Sequence, residues 1–267
     1  MLWDARGKVF YVSNMAGKPL EKDGKGWISL MSEDGKLIAP RWVEGLNAPK
    51  GLAMVGGTLY AADIDLVVSI DAASAKVVRR APVPGALSLG GLAAGKDGSL
   101  YASDTLANKV LRLAPDGAVS EVAAGDWVEG PAGLALRGRR LYVAAWGLAA
   151  PDFSTKVAGR LYALDLKTKR RLDVTPVPLG NLSGVALESG WSWKDPSGWL
   201  AGDAWLVTDQ KGGGLWRVSA RSGEPQLLVE GLKKPAGLAY DRKRQWAVVA
   251  LSGEDSVAAW DLTRFSR

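Results

Sequence analysis

The chain has 267 residues, 47% of them hydrophobic, and a formal net charge of +6, so it is long enough to bury a large core. It contains no cysteine and no histidine, which excludes disulfides, thiolate metal sites, Ser-His-Asp triads and most zinc sites. Any bound metal would need oxygen ligands, which favours calcium or magnesium.

The N-terminal segment MLWDARGKVFYV lacks the charged and apolar regions of a signal peptide. No apolar run reaches the roughly 18 residues of a membrane span, so we expect no transmembrane segment. The compartment stays open at this point. We expect a periplasmic or exported protein if a leader precedes Met1, and a cytoplasmic protein otherwise.

A glycine followed by leucine or valine marks a unit that recurs along the chain. The glycines are Gly51, Gly91, Gly133, Gly184 and Gly237, at intervals of 40, 42, 51 and 53 residues. The two longer intervals contain the insertions GLAAPDFSTKVAG and ESGWSWKDPSGWLAGDA. Self-similarity at about 40 residues indicates a repeat architecture. Trp3-Asp4 matches Tyr240-Asp241, so the start of the chain supplies a sixth unit.

Each unit predicts four short strands, because runs of β-branched and aromatic residues alternate with Gly, Asp and Asn turns. In the second unit we predict strands at Lys50–Met54, Thr58–Ala62, Leu66–Asp71 and Lys76–Ala81. In the third unit we predict strands at Gly90–Ala94, Ser99–Ser103, Lys109–Leu113 and Ala118–Ala123. Six such units predict an all-β fold, a six-bladed β-propeller of four-stranded antiparallel blades, as a single domain over residues 1–267.

The sixth unit ends at SVAAWDLTRFSR, which supplies a third strand and leaves no residues for a fourth. The opposite terminus begins with MLWD, which is too short to be the missing strand. We therefore expect either that residues upstream of Met1 are missing or that the ring closes with an incomplete, three-stranded last blade. A full fourth strand in that blade would contradict this expectation.

Five segments spread over essentially the whole chain carry a family resemblance: LNAPKGLA, GSLYASDTLANKVLRL, EGPAGLAL, GNLSGVAL and the first-unit loop KPLEKDGKGWIS. They resemble the gluconolactonase and senescence-marker-protein family of six-bladed propellers, and LYASDTLANKV also resembles the related NHL repeat. The resemblance implies a lactone or ester hydrolase with one divalent cation in the central channel. In that family Glu, Asn and Asp side chains hold the cation, which polarises the carbonyl and activates water.

The family's metal ligands lie at or beside the residue that precedes each repeated glycine. Here these residues are Lys50, Gly90, Ala132, Ser183 and Ala236. The family has asparagine at the position of Ala132 and aspartate at that of Ser183. Glycine and alanine side chains offer no oxygen to a hard cation, and Lys50 adds a positive charge. We expect the metal site to be dismantled and predict no cofactor; an alignment slip of one residue is the alternative.

Five residues are candidates for binding a ligand at the mouth of the central channel. They are Lys50, Trp146, Asn181, Ser183 and Asp209. Lys50 could pair with an anionic ligand such as a carboxylate, or with one of the neighbouring acidic loops. Trp146 precedes the GLAAPDFSTKVAG insertion, where an aromatic wall would suit a ligand. No catalytic residue is predicted.

Asp63, Asp104 and Asp209 each follow the second strand of a unit. They could ring the channel mouth as ligands, but we favour a structural role in which each accepts hydrogen bonds from backbone amides of its turn. In this alignment Asn14 and Trp146 replace the aspartate in the first and fourth units.

The tryptophans divide into two groups. Most lie in or beside predicted strands and are expected to pack between blades: Trp27, Trp42, Trp205, Trp216, Trp246 and Trp260. Trp191, Trp193 and Trp199 lie in the fifth-unit insertion. They either fold back over the neighbouring blade, which we favour, or form a contact patch for a protein partner.

The turns after the first and third strands of each blade carry many basic residues, whereas the opposite loops are richer in acidic ones. The basic turns contain Arg6 and Lys8, Lys96, Arg137–Arg140, Lys167–Arg171 and Arg242–Arg244. We therefore predict one basic face and one more acidic face, with the mouth on the acidic side. No aromatic platform interleaves with the basic turns, so we expect no nucleic-acid partner.

Three functions remain open after this reading. The favoured one is a propeller that has lost the family's metal ligands and binds a small ligand or partner at its central channel. The second is a divalent-metal-dependent lactonase or esterase, with calcium or another divalent cation as cofactor, supported by the resemblance alone. The third is a protein-interaction scaffold that uses the Trp191–Trp199 loop.

Overall fold

The structure, a computed structural model, describes the backbone of residues 1–195 and 198–265 and the side chains of residues 1–189 and 203–265. The described residues form 23 strands and two short 3₁₀ helices, Asp126–Val128 and Leu262–Phe265. The scarcity of helix follows from the sequence, because Gly, Asp and Asn turns interrupt every run long enough to form one.

The strands of the first three blades are numbered in chain order. Blade 1 contains β1 (Leu2–Asp4), β2 (Val9–Asn14), β3 (Gly26–Ser32) and β4 (Leu37–Leu46). Blade 2 contains β5 (Pro49–Val55), β6 (Thr58–Asp63), β7 (Leu66–Asp71) and β8 (Lys76–Pro82). Blade 3 contains β9 (Leu89–Ala94), β10 (Leu100–Asp104), β11 (Lys109–Leu113) and β12 (Val119–Ala124). The eight strands predicted for blades 2 and 3 are confirmed to within a residue or so at each end.

The remaining blades contain the two insertions. Blade 4 contains β13 (Pro131–Arg137), β14 (Arg140–Ala145), β15 (Leu161–Asp165) and β16 (Arg171–Asp173). Blade 5 contains β17 (Leu182–Asp195), β18 (Gly198–Asp209), β19 (Gly214–Ser219) and β20 (Pro225–Val229). Blade 6 contains β21 (Pro235–Asp241), β22 (Trp246–Leu251) and β23 (Ser256–Asp261).

Each sheet is an antiparallel meander, with strands hydrogen-bonded in chain order. The first strand of each blade lies innermost, and the inner strands of blades 2 to 6 each contact the next one; between blades 1 and 2, β5 contacts β2. Strand β1 contacts β21, which closes the ring. The predicted six-bladed β-propeller is therefore confirmed, and its last blade has three strands, one of the two outcomes expected from the sequence.

The repeated glycines allow the inner strands to approach closely around the ring. A Cβ at Gly51, Gly91 or Gly133 would collide with a backbone carbonyl of the next inner strand. A Cβ at Gly184 would lie only 2.5 Å from the carbonyl oxygen of Ala236. The motif that identifies the repeat is thus a packing requirement, because no side chain fits between neighbouring inner strands.

Hydroxyl side chains join the blades in pairs. They lie one residue before the end of the second strand in blades 1, 3 and 5, and they donate to the next inner strand. The bonds run from Ser13 Oγ to Lys50 O (2.6 Å), from Ser103 Oγ to Ala132 O (2.5 Å) and from Thr208 Oγ1 to Ala236 O (2.8 Å). Blades 2, 4 and 6 have alanine there, as Ala62, Ala144 and Ala250. This alternation gives the ring an approximate threefold pattern.

The predicted packing is confirmed for five of the six strand tryptophans. Trp27 joins no hydrophobic cluster of the described residues: its ring lies 4.3 Å from the Arg41 guanidinium, within blade 1. Trp205 is fully buried, and its ring stacks on Tyr142 with 3.8 Å between centroids. Partly buried rings pack against the other hydrophobic clusters, namely Trp42, Trp216, Trp246 and Trp260. The side chains of Trp191, Trp193 and Trp199 lie outside the described residues, so their role stays a prediction.

The meander places loops of two kinds on opposite faces of the ring. Loops that enter an inner strand, and turns between second and third strands, lie on the face where the inner strands begin; we call this the mouth face. The basic turns singled out in the sequence lie on the other face, as the strand order requires. A difference in surface potential between the two faces remains a prediction.

Candidate functional site

The inner strands present five equivalent residues at the mouth face. Lys50, Gly90, Ala132, Ser183 and Ala236 are each the second residue of an inner strand. The first residues of these strands pair with the ends of the second strands, for example Pro49 with Asp63 and Leu89 with Asp104. The register shows that these five positions are equivalent to one another within the ring.

Lys50 is the charged member of this set, and two separate loops hold its side chain. Its Nζ donates to the carbonyl oxygen of Pro19 and to Ser88 Oγ, both at 3.2 Å. Pro19 lies in the β2–β3 loop of blade 1, and Ser88 directly precedes the inner strand of blade 3. The ammonium is half-buried, and within the described part of the chain it forms no ion pair.

Burial dominates the electrostatics of Lys50. It lowers the pKa of the ammonium from 10.5 to about 8, although the carboxylates of Asp63 and Asp104 act in the opposite direction. These carboxylates raise the local negative potential without contacting Nζ. An anionic group placed beside Nζ would favour the charged form and raise this pKa again.

Ser183 lies on the opposite side of the ring. It belongs to blade 5, three blades from Lys50 in a ring of six, and it is half-buried. Its Oγ makes no hydrogen bond to another described residue. Between Lys50 and Ser183 the equivalent positions carry Gly90, Ala132 and Ala236, which have no polar side-chain group.

The three aspartates at the ends of second strands, Asp63, Asp104 and Asp209, have structural roles. Each carboxylate accepts hydrogen bonds from backbone amides of neighbouring loops, and we call this arrangement an aspartate clamp. Asp104 accepts hydrogen bonds from the amides of Leu87 (2.7 Å), Ser88 (3.0 Å) and Ala107 (3.0 Å). Asp63 accepts from two consecutive amides in the loop that enters its own inner strand, at 2.9 and 2.7 Å. The favoured structural role is confirmed, with one correction: most of these amides belong to the entering loop and fewer to the turn itself.

Blade 4 departs from this clamp, and its alignment in the sequence was wrong by one residue. The strand register pairs Pro131 with Ala145, so Ala145 occupies the aspartate position and Trp146 follows it. The entering loop is instead joined through backbone groups, with Trp146 N donating to Gly130 O at 2.8 Å. A Cβ at Gly130 would collide with the carbonyl of Gly147. Glycine at position 130 therefore lets the two backbone segments lie close enough to hydrogen-bond directly, where the other blades use an aspartate carboxylate.

Trp146, Asn181 and Asp209 form one connected cluster between blades 4 and 5. Asn181 Nδ2 donates to Trp146 O (2.6 Å) and to Thr155 Oγ1 (2.8 Å), while its amide donates to Asp209 Oδ1 (3.0 Å). Trp146 is buried, and its Nε1 donates to Phe153 O at 3.0 Å. The contacts fasten the blade 4 insertion, residues 147–159, to blade 5.

The donor set does not fit the divalent cation that the family resemblance implies. Among the five equivalent positions only Ser183 has a side-chain oxygen, and Lys50 places an ammonium beside them. Calcium usually takes six to eight oxygen ligands. Across the described residues there is no group of three or more acidic, histidine or cysteine side chains positioned to hold a metal.

Sequence reasoning missed the partners of the candidate residues. Ser88 and Pro19, which hold Lys50, carry no pattern that distinguishes them from other loop residues. Lys211 lies two residues after Asp209, and its Nζ sits 5.3 Å from the centroid of the Trp146 ring. The proximity of a lysine to an aspartate clamp was visible in the sequence, but its aromatic partner lies in another blade.

Comparisons with known proteins show the fold and no more. No family model matches the chain, and no curated protein matches it. A catalytically inactive, histidine-to-alanine variant of virginiamycin B lyase from Staphylococcus aureus, solved with quinupristin, is similar at 15% identity and a TM-score of 0.60, over 90% of this chain and 78% of the lyase.

Two other solved structures are similar to the same extent. An auxiliary nutrient binding protein from Bacteroides ovatus matches at 12% identity and a TM-score of 0.62, over 90% of this chain and 65% of that protein. A nidogen/laminin complex contains a chain that matches at 14% identity and a TM-score of 0.62, over 97% of this chain and 95% of the other. These identities support the propeller fold but assign no activity.

Proposed function

We propose that this propeller binds a small carboxylate-bearing molecule at the mouth of its channel, with the Lys50 ammonium as the recognition group. The main support for the proposal is that the Lys50 ammonium has neutral hydrogen-bond partners and no ion pair among the described residues. Its Nζ is half-buried at the mouth and bonded to two neutral oxygens, Pro19 O and Ser88 Oγ, without an ion pair among the described residues. A half-buried cation whose hydrogen-bond partners are all neutral favours an anionic partner.

Two further observations support a binding function over a catalytic one. The similar lyase is described as inactive when one histidine is changed to alanine, and this chain contains no histidine. The equivalent inner-strand positions, which would hold a metal in the gluconolactonase-like propellers that this sequence resembles, carry mainly glycine and alanine. Ser183 Oγ, across the mouth, would supply a hydrogen bond to a hydroxyl of the same ligand.

A titration with gluconate, compared with the uncharged polyol sorbitol, tests the proposal. We expect isothermal titration calorimetry to show gluconate binding, no sorbitol binding, and at least a tenfold weaker gluconate affinity in Lys50→Gln. Lys156→Gln is the matched control, because Lys156 is an exposed lysine of the mouth face. Equal gluconate affinity in Lys50→Gln and wild type, or no carboxylate preference in wild type, would overturn the proposal.

The competing hypothesis is a metal-dependent lactonase. It predicts a tightly bound divalent cation by elemental analysis and lactone turnover that a chelator abolishes. On our proposal the purified protein binds gluconate equally well with and without chelator, and lactone hydrolysis stays at the uncatalysed rate.

A further inference from the structure

The outer edge of blade 6 is a strand without a neighbour on one side. In blades 1 to 5 the third strand pairs with a fourth, whereas β23 pairs only with β22 among the described strands. After β23 the chain turns toward blade 5. There the carbonyl oxygen of Phe265 accepts from Arg217 Nη1 at 3.3 Å, and Leu262 packs in the hydrophobic cluster between blades 5 and 6. The described chain therefore leaves the outer edge of β23 unpaired.

Backbone hydrogen bonds show which groups of β23 face outward. Leu262 N donates to Gln245 O at 2.9 Å, so the pair just beyond the ends of β22 and β23 is hydrogen-bonded. Hydrogen-bonded and non-hydrogen-bonded pairs alternate along antiparallel strands, and the register between β22 and β23 has no shift. The amides and carbonyls of Val257, Ala259 and Asp261 therefore point away from β22.

The outer strands of the other blades are protected against pairing, and β23 is not. Free strand edges pair readily with other chains unless prolines, charges, irregularities or short length prevent it. Strands β4, β8 and β20 each contain a proline and pair with a register shift, β12 contains a glutamate and pairs with a shift, and β16 has only three residues. Strand β23 has no proline, no shift and no charged residue before its last, Asp261.

The sequence of β23 suits pairing with an antiparallel copy of itself. Because Val257, Ala259 and Asp261 face outward, the central register places Ala259 opposite Ala259 of a second copy. In that register Trp260 lies beside Ala258 of the second copy, so a large side chain meets a small one. The strand is therefore complementary to itself in the size of its side chains.

The charges that flank β23 are complementary in the same arrangement. Glu254 and Asp255 precede the strand, are exposed and form no ion pair within the described chain. Arg264 follows the strand, with its side chain 82% exposed and its Nε 3.6 Å from Asp261 Oδ2. Antiparallel pairing brings the start of one strand beside the end of the other. The acidic pair of each copy then approaches Arg264 of the other copy, at both ends of the contact.

We propose that this edge is a dimerisation surface at which β23 pairs antiparallel with β23 of a second copy of the chain. The two three-stranded sheets then form one six-stranded sheet across a twofold axis at Ala259. Antiparallel pairing reverses one ring relative to the other, so the rings lie side by side and both mouths stay open. The surface is separate from the carboxylate site proposed at Lys50. A contact of one strand pair is small, so we expect association that depends on protein concentration.

Sedimentation velocity of the full chain over a range of concentrations tests the proposal. We expect the mass to rise with concentration from that of one chain to that of two. Ala259→Pro should weaken dimerisation at least tenfold, because proline removes the outward amide at the axis. The matched control is Val119→Pro in β12, whose amide also faces outward because the preceding Ala118 O accepts from Ala114 N. This control should dimerise as wild type does.

Two further variants test the register of the strand pair. Arg264→Glu should weaken dimerisation, and Glu254→Arg added to the same chain should restore it, because opposite charges again face each other. The chain has no cysteine, so Ala259→Cys places a single thiol at the axis. Paired Cα atoms there would be about 5.5 Å apart, which a disulfide can span. Mild oxidation should give a covalent dimer in Ala259→Cys and none in Val119→Cys.

A wild-type chain that stays monomeric at every concentration would overturn the proposal and leave the edge to a strand from another protein. Undiminished dimerisation in Ala259→Pro, or equal weakening in Val119→Pro, would place the contact elsewhere. No restoration by Glu254→Arg, or no covalent dimer in Ala259→Cys, would contradict the antiparallel register. Unchanged circular dichroism and melting temperature of the dilute variants exclude misfolding as the cause of weaker dimerisation.

Discussion

The cluster at Asn181 and the surroundings of Lys50 lie on opposite sides of the mouth and satisfy their polar groups differently. Asn181 bonds to Trp146 O and Thr155 Oγ1, and its backbone amide bonds to the carboxylate of Asp209. Lys50 has a full charge facing two neutral oxygens. The first arrangement joins blades 4 and 5, whereas the second leaves the Lys50 ammonium without an ion pair among the described residues. Polar residues at the entrance of an inner strand therefore differ in their role according to their partners.

The largest effect on stability is expected for Asp209→Ala. Asp209 is buried and accepts from the amides of Asn181 and Gly212, both at 3.0 Å. Its removal leaves two amides without their charged acceptor, and we expect the free energy of unfolding to fall by about 3 kcal/mol in urea denaturation. Glu254 is an exposed acidic residue on the same face, and Glu254→Ala should change the free energy of unfolding by less than about 0.5 kcal/mol. An unchanged free energy of unfolding in Asp209→Ala would contradict the structural role of this carboxylate.

A smaller loss is expected for Asn181→Ala. The variant keeps the backbone bond to Asp209 but loses the two Nδ2 bonds that fasten the blade 4 insertion. We expect a loss of about 1–2 kcal/mol and faster proteolysis within residues 147–159, measured by limited digestion. Gluconate affinity should stay within twofold of wild type. A tenfold loss of affinity without a loss of stability would instead assign Asn181 to the ligand site.

The last prediction concerns Lys50 and the pH dependence of the free energy of unfolding. Below about pH 8 Lys50 is protonated in both the folded and the unfolded chain, so it does not make the free energy of unfolding depend on pH. Between about pH 8 and 10.5 the unfolded chain holds the proton and the folded chain releases it, so the free energy of unfolding rises with pH. Lys50→Met should lack this rise, whereas Lys156→Met should keep it. Parallel curves for wild type and Lys50→Met would contradict a lowered pKa.

Blades 3 and 4 show how well equivalent positions of a repeat can be aligned from the sequence alone. The aspartate of blade 3 was recognised in YASD, and its structural role followed from its place after a strand. Blade 4 has the same strands but no aspartate, and the aligned Trp146 proved to lie one residue beyond the equivalent position, which Ala145 occupies. The letters around Trp146 do not show that Gly130 and Gly147 join the loop through their backbones.

The amino-acid sequence by itself determined the fold. The Gly-Leu repeat, the strand lengths and the three-stranded last blade follow from local patterns, because strand alternation, turn residues and the close approach of inner strands act within or between adjacent units. It also located the five equivalent inner-strand positions, since these are read directly beside the glycines.

Only the tertiary structure decided which of those positions carries an unneutralised charge. Lys50 meets partners 31 and 38 residues away in the chain. Sequence spacing does not report such distances, because the ring brings together loops that are separated by one or more repeats. Charge neutralisation depends on side-chain distances of a few ångströms, and these exist only once the blades have packed.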